Sequence, residues 1–200
     1  SLEDSRYTAD TEQTFKKIDQ QIREKLGSAL YSTGDTSLIQ VVAEQLVRLH
    51  YSIATAESCT GGLLGGIITK LSGASRYYRG GVIAYDNEVK QKILHVPVEI
   101  IEQFGSVSRE CVEEMAKSIR QLTNSDLGLA TSGIAGPDGG TDEKPVGTVF
   151  IALAHEQGVK TLSLHLNGSR EKIRQATVAY ATNFAREFLA KQKRVKNAGS

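Results

Sequence analysis

The chain has 200 residues, of which 40% are hydrophobic and 24% charged, a composition typical of one globular domain with a short extension. Its 24 basic and 23 acidic residues leave a net charge of +1, so there is no strongly basic surface to attract nucleic acid or anionic membranes. Two cysteines, Cys59 and Cys111, make neither a disulfide framework nor a four-ligand metal site. The polar N-terminus lacks a signal-peptide profile, and no apolar run approaches the roughly 18 residues of a membrane span. We therefore expect a cytoplasmic protein.

The first 34 residues are polar and differ from the rest of the chain. Apolar residues at helical spacing predict one helix over 14–30, namely Phe15, Ile18, Ile22, Leu26 and Leu30. The tract YSTGD then breaks the pattern at Gly34. We interpret residues 1–34 as a linker or the tail of a preceding domain, 35–190 as one domain, and 191–200 as a frayed basic tail.

The domain begins with a predicted helix, a short strand and a second helix. Apolar residues from Leu38 to Leu49 form one helical stripe, and Asp35 or Thr36 can supply the N-cap oxygen. The run YSIATAES is a strand that ends at Ser58, and CTGG then opens a helix in GLLGGIITKLS. Strand, tight turn and helix therefore meet at residues 58–62.

The remaining elements continue the alternation of strands and helices. We predict a strand over 80–85, a helix from Asn87, a helix over 108–122, and a strand in DLGLATSG that leads into a glycine-rich loop. Strands at 148–154 and 159–166 form an antiparallel hairpin through HEQG, and a helix over 169–189 follows. The pattern predicts an α/β fold, a compact layered sandwich with a mixed β-sheet flanked by helices.

The turn at Ser58 is the first candidate for chemistry, because open α/β sheets bind ligands at strand ends. A serine at a sharp strand-to-helix turn is held exposed, and the N–H groups of Thr60, Gly61 and Gly62 can approach an oxyanion or a phosphate. The pattern G-x-S-x-G is absent, since Ala56 and Thr60 occupy its glycine positions. From the pattern alone, Ser58 is either a nucleophile or a helix N-cap.

Lys90 and Tyr85 lie in the second candidate segment, GGVIAYDNEVK. Lys90 is either a solvated side chain or, if it points into the cleft and is desolvated, a neutral amine that can accept the Ser58 proton. Tyr85 is either a half-buried strand tyrosine or a hydroxyl that orients one of these groups.

The glycine-rich loop SGIAGPDGGTDEKPVG is the third candidate segment. The backbone N–H groups of Ser132, Gly133 and Gly136 can hold a phosphate or ribose, and the alternative is a plain surface loop. Neither the Walker nor the Rossmann glycine pattern is present. Arg170, at the start of the last helix, is a phosphate anchor or a surface arginine.

The other reactive residue types give weaker patterns. Cys59, next to Ser58, is an alternative nucleophile, but no acid–base partner for a thiolate is evident. The four histidines are not at metal-ligand spacing, so we interpret them as structural; they are His50, His95, His155 and His165.

Taken together, the segments TAESCTGG, GGVIAYDNEVK and TSGIAGPDGGTDEKPVGTV resemble, in order and spacing, the CinA C-terminal family, also known as nicotinamide-nucleotide amidase. The resemblance covers about residues 38–189. It implies a compact α/β sandwich that deamidates nicotinamide mononucleotide to nicotinate mononucleotide and ammonia. Carried over by motif, Ser58 is the nucleophile, Lys90 its base and Tyr85 a supporting residue. The family commonly has Ser in place of Asp86.

The resemblance also implies the setting of the reaction. No metal or organic cofactor is expected, the partner is the nucleotide substrate, and a homo-oligomer is expected. Family members occur alone or behind an N-terminal domain that resembles molybdopterin-binding proteins, which fits our interpretation of residues 1–34. Two alternatives stay open. One is a non-catalytic nucleotide-binding or regulatory module, and the other is an amidase for an unphosphorylated substrate.

Overall fold

The structure is a computed structural model that describes residues 9–192. The chain divides between Ser37 and Leu38 into two units. In the first unit, helix α1 spans Ala9–Leu26 and is followed by a 3₁₀ turn at Gly27–Ala29. The helix begins earlier than predicted and ends at Leu26 rather than Leu30. Gly27 explains its end, because a backbone φ of +49° departs from the helical conformation and is easily adopted only by glycine.

The described part of the second unit contains six α-helices and five strands. The helices are α2 (Leu38–Leu49), α3 (Leu63–Thr69), α4 (Asn87–Lys92), α5 (Val98–Phe104), α6 (Arg109–Leu122) and α7 (Arg170–Ala190). The strands are β1 (Ile53–Glu57), β2 (Tyr78–Ile83), β3 (Leu127–Gly133), β4 (Thr148–His155) and β5 (Gly158–His165). This arrangement confirms the predicted α/β sandwich with a mixed sheet.

The sheet has the strand order β2-β1-β3-β4-β5. Strand β1 is parallel to both β2 and β3, whereas β3, β4 and β5 pair antiparallel, which confirms the predicted hairpin. Glu57, the last residue of β1, lies opposite Ile83 of β2 and Thr131 of β3. The segments that follow these three strands therefore meet at one edge of the sheet, where α/β folds place their ligands.

The two faces of the sheet carry side chains of different size. Ile53, Leu129 and Ile151 face a core that also contains apolar residues of α2, α3 and α7. Their neighbours along the strands are alanines, and these face a core built with α6. Small side chains allow a helix to approach closely, and a Cβ at Gly128 would collide with the Ala116 carbonyl oxygen of α6.

Several predictions of local structure were wrong in detail. Strand β2 begins at Tyr78, through its pairing with Ile53, and ends at Ile83, so Tyr85 lies in the connection to α4 rather than in the strand. Helix α2 begins at Leu38, so Asp35 and Thr36 lie before the capping position. Helix α5 was not predicted.

Residues 1–8 and 193–200 lie outside the described part of the chain. Most of the proposed basic tail lies outside the described residues, as does the start of the proposed linker. Among the helices that are described, none combines the length and apolar character needed to cross a membrane.

Candidate active site

Ser58 lies at the turn between β1 and α3, as the sequence predicts. Its N–H donates to the Thr131 carbonyl at 3.0 Å, and its own carbonyl accepts from the Gly61 N–H at 3.1 Å. These bonds tie the turn both to the neighbouring strand and to itself. The serine is only 9% exposed, so the expectation that the turn holds its side chain exposed is wrong.

The residue before Ser58 organises the turn, and sequence analysis did not identify it. The Glu57 side chain is 2% exposed. Its Oε2 accepts from the Thr60 hydroxyl at 2.7 Å and from the N–H groups of Gly62 and Leu64 at 2.9 and 3.0 Å. Its Oε1 accepts from the Gly65 N–H at 2.7 Å. The carboxylate thus satisfies the first N–H groups of α3, which helices otherwise leave without a partner.

These contacts change the expectation for Thr60, Gly61 and Gly62. The Gly62 N–H donates to Glu57 and the Gly61 N–H to the Ser58 carbonyl, so both are already engaged within the protein. Thr60 is fully buried, with its hydroxyl 2.8 Å from that of Thr131. The role of these three residues as substrate ligands stays a prediction, and their observed contacts hold the turn.

Lys90 is carried to the site by the short helix α4. Asp86 is its N-cap, since its carboxylate accepts from the Glu88 N–H at 2.7 Å. A serine can cap a helix in the same way, so the Asp86 carboxylate does here what a serine hydroxyl could also do. Lys90 lies one turn further on and is 2% exposed.

The Lys90 amine is buried and makes two hydrogen bonds within the protein. Its Nζ donates to the Tyr85 carbonyl at 3.2 Å and to Asn87 Oδ1 at 3.4 Å. Burial lowers the pKa of Lys90, and weaker electrostatic interactions with Cys111, Asp86 and Cys59 partly oppose that shift. Cys59 is the neighbour of Ser58, so the amine lies within electrostatic range of the turn.

Cys59 fits poorly as the nucleophile. It is 5% exposed, and burial raises the pKa of its thiol to about 12. The thiolate, which is the reactive form, is therefore scarce near neutral pH. The structure therefore gives Cys59 no support as the nucleophile, and the assignment of that role to Ser58 stays a prediction.

Three predicted residues from distant parts of the chain meet through one guanidinium. Arg170 donates from Nη2 to the Tyr85 hydroxyl at 2.7 Å and from Nη1 to the Gly136 carbonyl at 2.8 Å. Tyr85 is 59% exposed, which differs from the half-buried strand tyrosine weighed above. We call Tyr85, Gly136 and Arg170 the Arg170 group, and Glu57, Ser58, Thr60 and Lys90 the Ser58 group.

The glycine-rich loop is anchored at its base. The Ile134 N–H donates to the Thr148 carbonyl at 2.9 Å and the Gly147 N–H to the Ile134 carbonyl at 2.8 Å. Gly136 has a φ of +78°, and a Cβ there would lie 2.6 Å from Val146 Cγ1. Only glycine fits this position without displacing the loop.

Ser132 and Gly133 are used differently from Gly136. The Ser132 hydroxyl is fully buried and donates to the Ser106 carbonyl at 2.7 Å. Gly133 is the last residue of β3 and pairs with Val149 of β4. Their contacts are structural in this structure, and a role in substrate binding stays a prediction for both.

Arg174 is a second residue that sequence analysis missed. Its Nη2 donates to the Thr60 carbonyl at 3.0 Å, and Nη1 lies 3.2 Å from the Glu171 carboxylate. The sequence held a usable signal, because Arg174 follows Arg170 by four residues in a predicted helix and so lies on the same face. Helix α7 therefore contributes Arg170 to the Arg170 group, and Arg174 contacts Thr60 of the Ser58 group.

Open space lies beside the turn. A groove of about 390 Å³ between α3 and α7 is lined by Gly62, Leu63, Gly66, Ile67, Lys70, Gln175 and Val178. A larger groove of about 530 Å³ lies between α2 and the segment 71–77, away from this edge of the sheet. Within the described residues, no group of three or more His, Cys, Asp or Glu is placed to hold a metal ion.

Comparisons with known sequences and structures all identify one family. The family model described as the CinA C-terminal domain matches residues 35–189. A relative in Clostridium novyi (strain NT), named as competence-damage inducible, is 42% identical over 92% of this chain and 44% of its own length. A relative with the same name in Acetivibrio thermocellus is 44% identical over 91% of this chain and 45% of its length. The chain thus spans less than half of the curated relatives it matches.

Solved structures are also similar to this chain. The competence damage-inducible protein A of Klebsiella pneumoniae has a TM-score of 0.76 at 34% identity, over 78% of this chain and 97% of that one. The competence/damage inducible protein of Agrobacterium tumefaciens has a TM-score of 0.72 at 33% identity, over 80% of this chain and all of that one (100%). These structures have nearly the length of the second unit alone.

Proposed function

Because the chain belongs to the CinA C-terminal domain family, we propose that it is a serine amidohydrolase that converts nicotinamide mononucleotide to nicotinate mononucleotide and ammonia. The observation that carries the proposal is the buried amine of Lys90 near the turn that bears Ser58. Only a neutral amine can act as a general base, and the burial that lowers the pKa of Lys90 favours this form over that of an exposed lysine.

The proposed reaction has two stages. Neutral Lys90 accepts the Ser58 proton while Ser58 Oγ attacks the carboxamide carbon, and protonated Lys90 then gives its proton to the departing ammonia. Water attacks the resulting ester, Lys90 takes a proton from this water, and Ser58 Oγ regains one as nicotinate mononucleotide leaves. A neutral amine has two N–H groups, which can keep donating to Tyr85 and Asn87, and one lone pair. This lone pair accepts the Ser58 hydroxyl proton in the substrate complex, since catalytic hydrogen bonds often form only on binding.

The Arg170 group supports a phosphorylated substrate. Arg170 is an exposed cation whose orientation is fixed by the Tyr85 hydroxyl and the Gly136 carbonyl. A guanidinium held in this way can bind a phosphate with its remaining N–H groups. We propose that Arg170 binds the substrate phosphate and that Tyr85 lines the path to Ser58.

The test is ammonia release from nicotinamide mononucleotide by the purified chain, with Ser58→Ala beside Cys59→Ala as its matched control. We expect release by the wild type and by Cys59→Ala, and a loss of at least about 10³-fold in Ser58→Ala. Release by a folded Ser58→Ala at the wild-type rate would exclude the scheme. Nicotinamide riboside, which lacks the phosphate, tests whether phosphate is needed.

A binding module without turnover is the second candidate. One observation favours it, since Lys90 Nζ donates to Tyr85 and Asn87, and no hydrogen bond joins it to Ser58 in the described structure. A nucleotide that raises the melting temperature without releasing ammonia would support this candidate.

A cytoplasmic location, a homo-oligomeric state and an N-terminal partner domain remain parts of our proposal.

A further inference from the structure

We propose that Glu57 is a positioning residue for Ser58, whose carboxylate fixes the catalytic turn by binding the start of α3. The inference rests on the proposed function and names a residue that the Ser/Lys scheme does not contain. Glu57 touches neither substrate nor the reacting atoms in this proposal. It acts through the backbone of the turn in which Ser58 stands.

The geometry gives Glu57 control over both sides of the turn. Its backbone belongs to β1, where its carbonyl accepts from the Ala84 N–H at 2.7 Å. Its side chain reaches forward to Thr60, Gly62, Leu64 and Gly65 by four hydrogen bonds of 2.7–3.0 Å. Ser58 lies between these two attachments, so the direction of its side chain depends on both.

A carboxylate suits this position better than a neutral side chain. All four partners are donors, and an ionised carboxylate is an acceptor on both oxygens. The N–H groups at the start of a helix also carry partial positive charge, which favours an anion there. A glutamine would offer one acceptor oxygen and turn its amide N–H₂ toward one of the donors.

The surroundings leave room for this carboxylate and for little else. A Cβ at Gly65 would lie 3.3 Å from Glu57 Oε1 and 2.8 Å from the Tyr78 hydroxyl. The Tyr78 hydroxyl is itself 2.7 Å from Thr55 Oγ1, which limits its movement. The absence of a side chain at Gly65 leaves space for the Glu57 carboxylate to accept from the Gly65 N–H. Gly65→Ala therefore perturbs this hydrogen bond from the side of α3.

The experiment compares Glu57→Gln with Asp126→Asn in the full chain. Asp126 accepts from the Ser52 N–H and hydroxyl at 2.7 and 2.6 Å, just before the start of β1. Asp126→Asn therefore makes the same change, from a carboxylate to an amide, at the end of β1 that is far from Ser58. Two rates are measured for each variant, turnover of nicotinamide mononucleotide and covalent labelling of Ser58 by a fluorophosphonate. The free energy of unfolding is measured alongside.

We expect Glu57→Gln to lower kcat and the labelling rate by about 10- to 100-fold, with KM changed less than about threefold, because misplacement of a reacting group by about 1 Å costs rate on this scale. Asp126→Asn should lose stability and keep both rates. Gly65→Ala should shift both rates in the same direction as Glu57→Gln.

The outcomes separate this proposal from the proposed function. Labelling and turnover at wild-type rates in Glu57→Gln, or an equal loss of rate in Asp126→Asn, would overturn the role of Glu57. Wild-type labelling of Ser58 without ammonia release would reject the proposed substrate, while the labelling rates would still decide on Glu57. A wild type whose Ser58 is not labelled would overturn the positioning role too, since there would be no reactive serine to position.

Discussion

The Ser58 group and the Arg170 group lie at the same edge of the sheet but differ in burial. Lys90 and Glu57 are each 2% exposed, whereas Tyr85 is 59% exposed. Burial lowers the pKa of Lys90 and so favours the neutral amine. The guanidinium of Arg170, by contrast, is exposed at the start of α7.

The comparison shows how one edge can serve two chemical purposes. In the proposed function a general base needs a neutral form, which the burial of Lys90 favours. A phosphate ligand needs a cation that solvent can reach, and Arg170 is exposed at the start of α7. The proposal thus assigns two requirements that conflict in a single environment to residues from different elements.

Replacement of Lys90 by methionine gives the largest effect that separates the groups. Lys90→Met removes the base and keeps a linear side chain of similar size, so we expect kcat to fall by about 10²- to 10⁴-fold. Lys92→Met is the control, because Lys92 is exposed and forms only an ion pair with Glu88 at 2.8 Å. Steady-state kinetics of ammonia release check the prediction, and equal losses in both variants would contradict it.

Replacement of Arg170 should act on binding rather than on turnover. Loss of a charge-assisted hydrogen bond to phosphate costs about 1.5–3 kcal/mol, so Arg170→Ala should raise KM by roughly 10- to 100-fold. The kcat should change little, because the Ser58 group stays intact. Lys172→Ala, on an exposed position of the same helix, is the control, and a fall in kcat with constant KM would place Arg170 in the chemical step instead.

The lowered pKa of Lys90 predicts two pH dependences. Only the neutral amine is a base, so kcat/KM should rise about tenfold per pH unit below that pKa and then level off.

Protonated Lys90 destabilises only the folded state, so this penalty is greatest at low pH and is lost as pH rises toward 10.5, the ordinary value. Lys90→Met should therefore be the more stable protein near neutral pH, with a gap that narrows in alkaline solution. A gap independent of pH in urea unfolding would contradict this account.

Removal of the Tyr85 hydroxyl gives the smallest effect. Tyr85→Phe leaves Arg170 with its bond to Gly136 and takes away one acceptor, so KM should rise by about 2- to 10-fold. Tyr180→Phe on α7 is a matched control at an exposed tyrosine. An effect as large as that of Lys90→Met would move Tyr85 into the Ser58 group.

The sequence predicts the fold well where the pattern is local. The helices predicted over 108–122 and 169–189 are α6 and α7, whose bounds differ from the prediction by at most one residue. The start of β2 was missed because Tyr78 pairs with Ile53, and such a pairing across the chain leaves no local pattern.

The site is predictable only in part, for the same reason. The strand ends indicate the edge of the sheet at which Ser58 lies, but burial of the Lys90 amine depends on packing that no short motif encodes. Glu57 was overlooked because a glutamate at a strand end looks like a solvated charge, whereas its partners lie up to eight residues further on. Arg170 was found by its place before a helix, and its link to Tyr85 needed the tertiary structure.

The most direct test of the central claim is to trap the covalent intermediate. Nicotinamide mononucleotide is mixed with the wild type, the reaction is stopped by acid within the first turnover, and the peptides are analysed by mass spectrometry. The account predicts a nicotinate mononucleotide ester on Ser58 that forms before the product accumulates and is absent in Ser58→Ala. An adduct on Cys59, or ammonia release by Ser58→Ala at the wild-type rate, would contradict it.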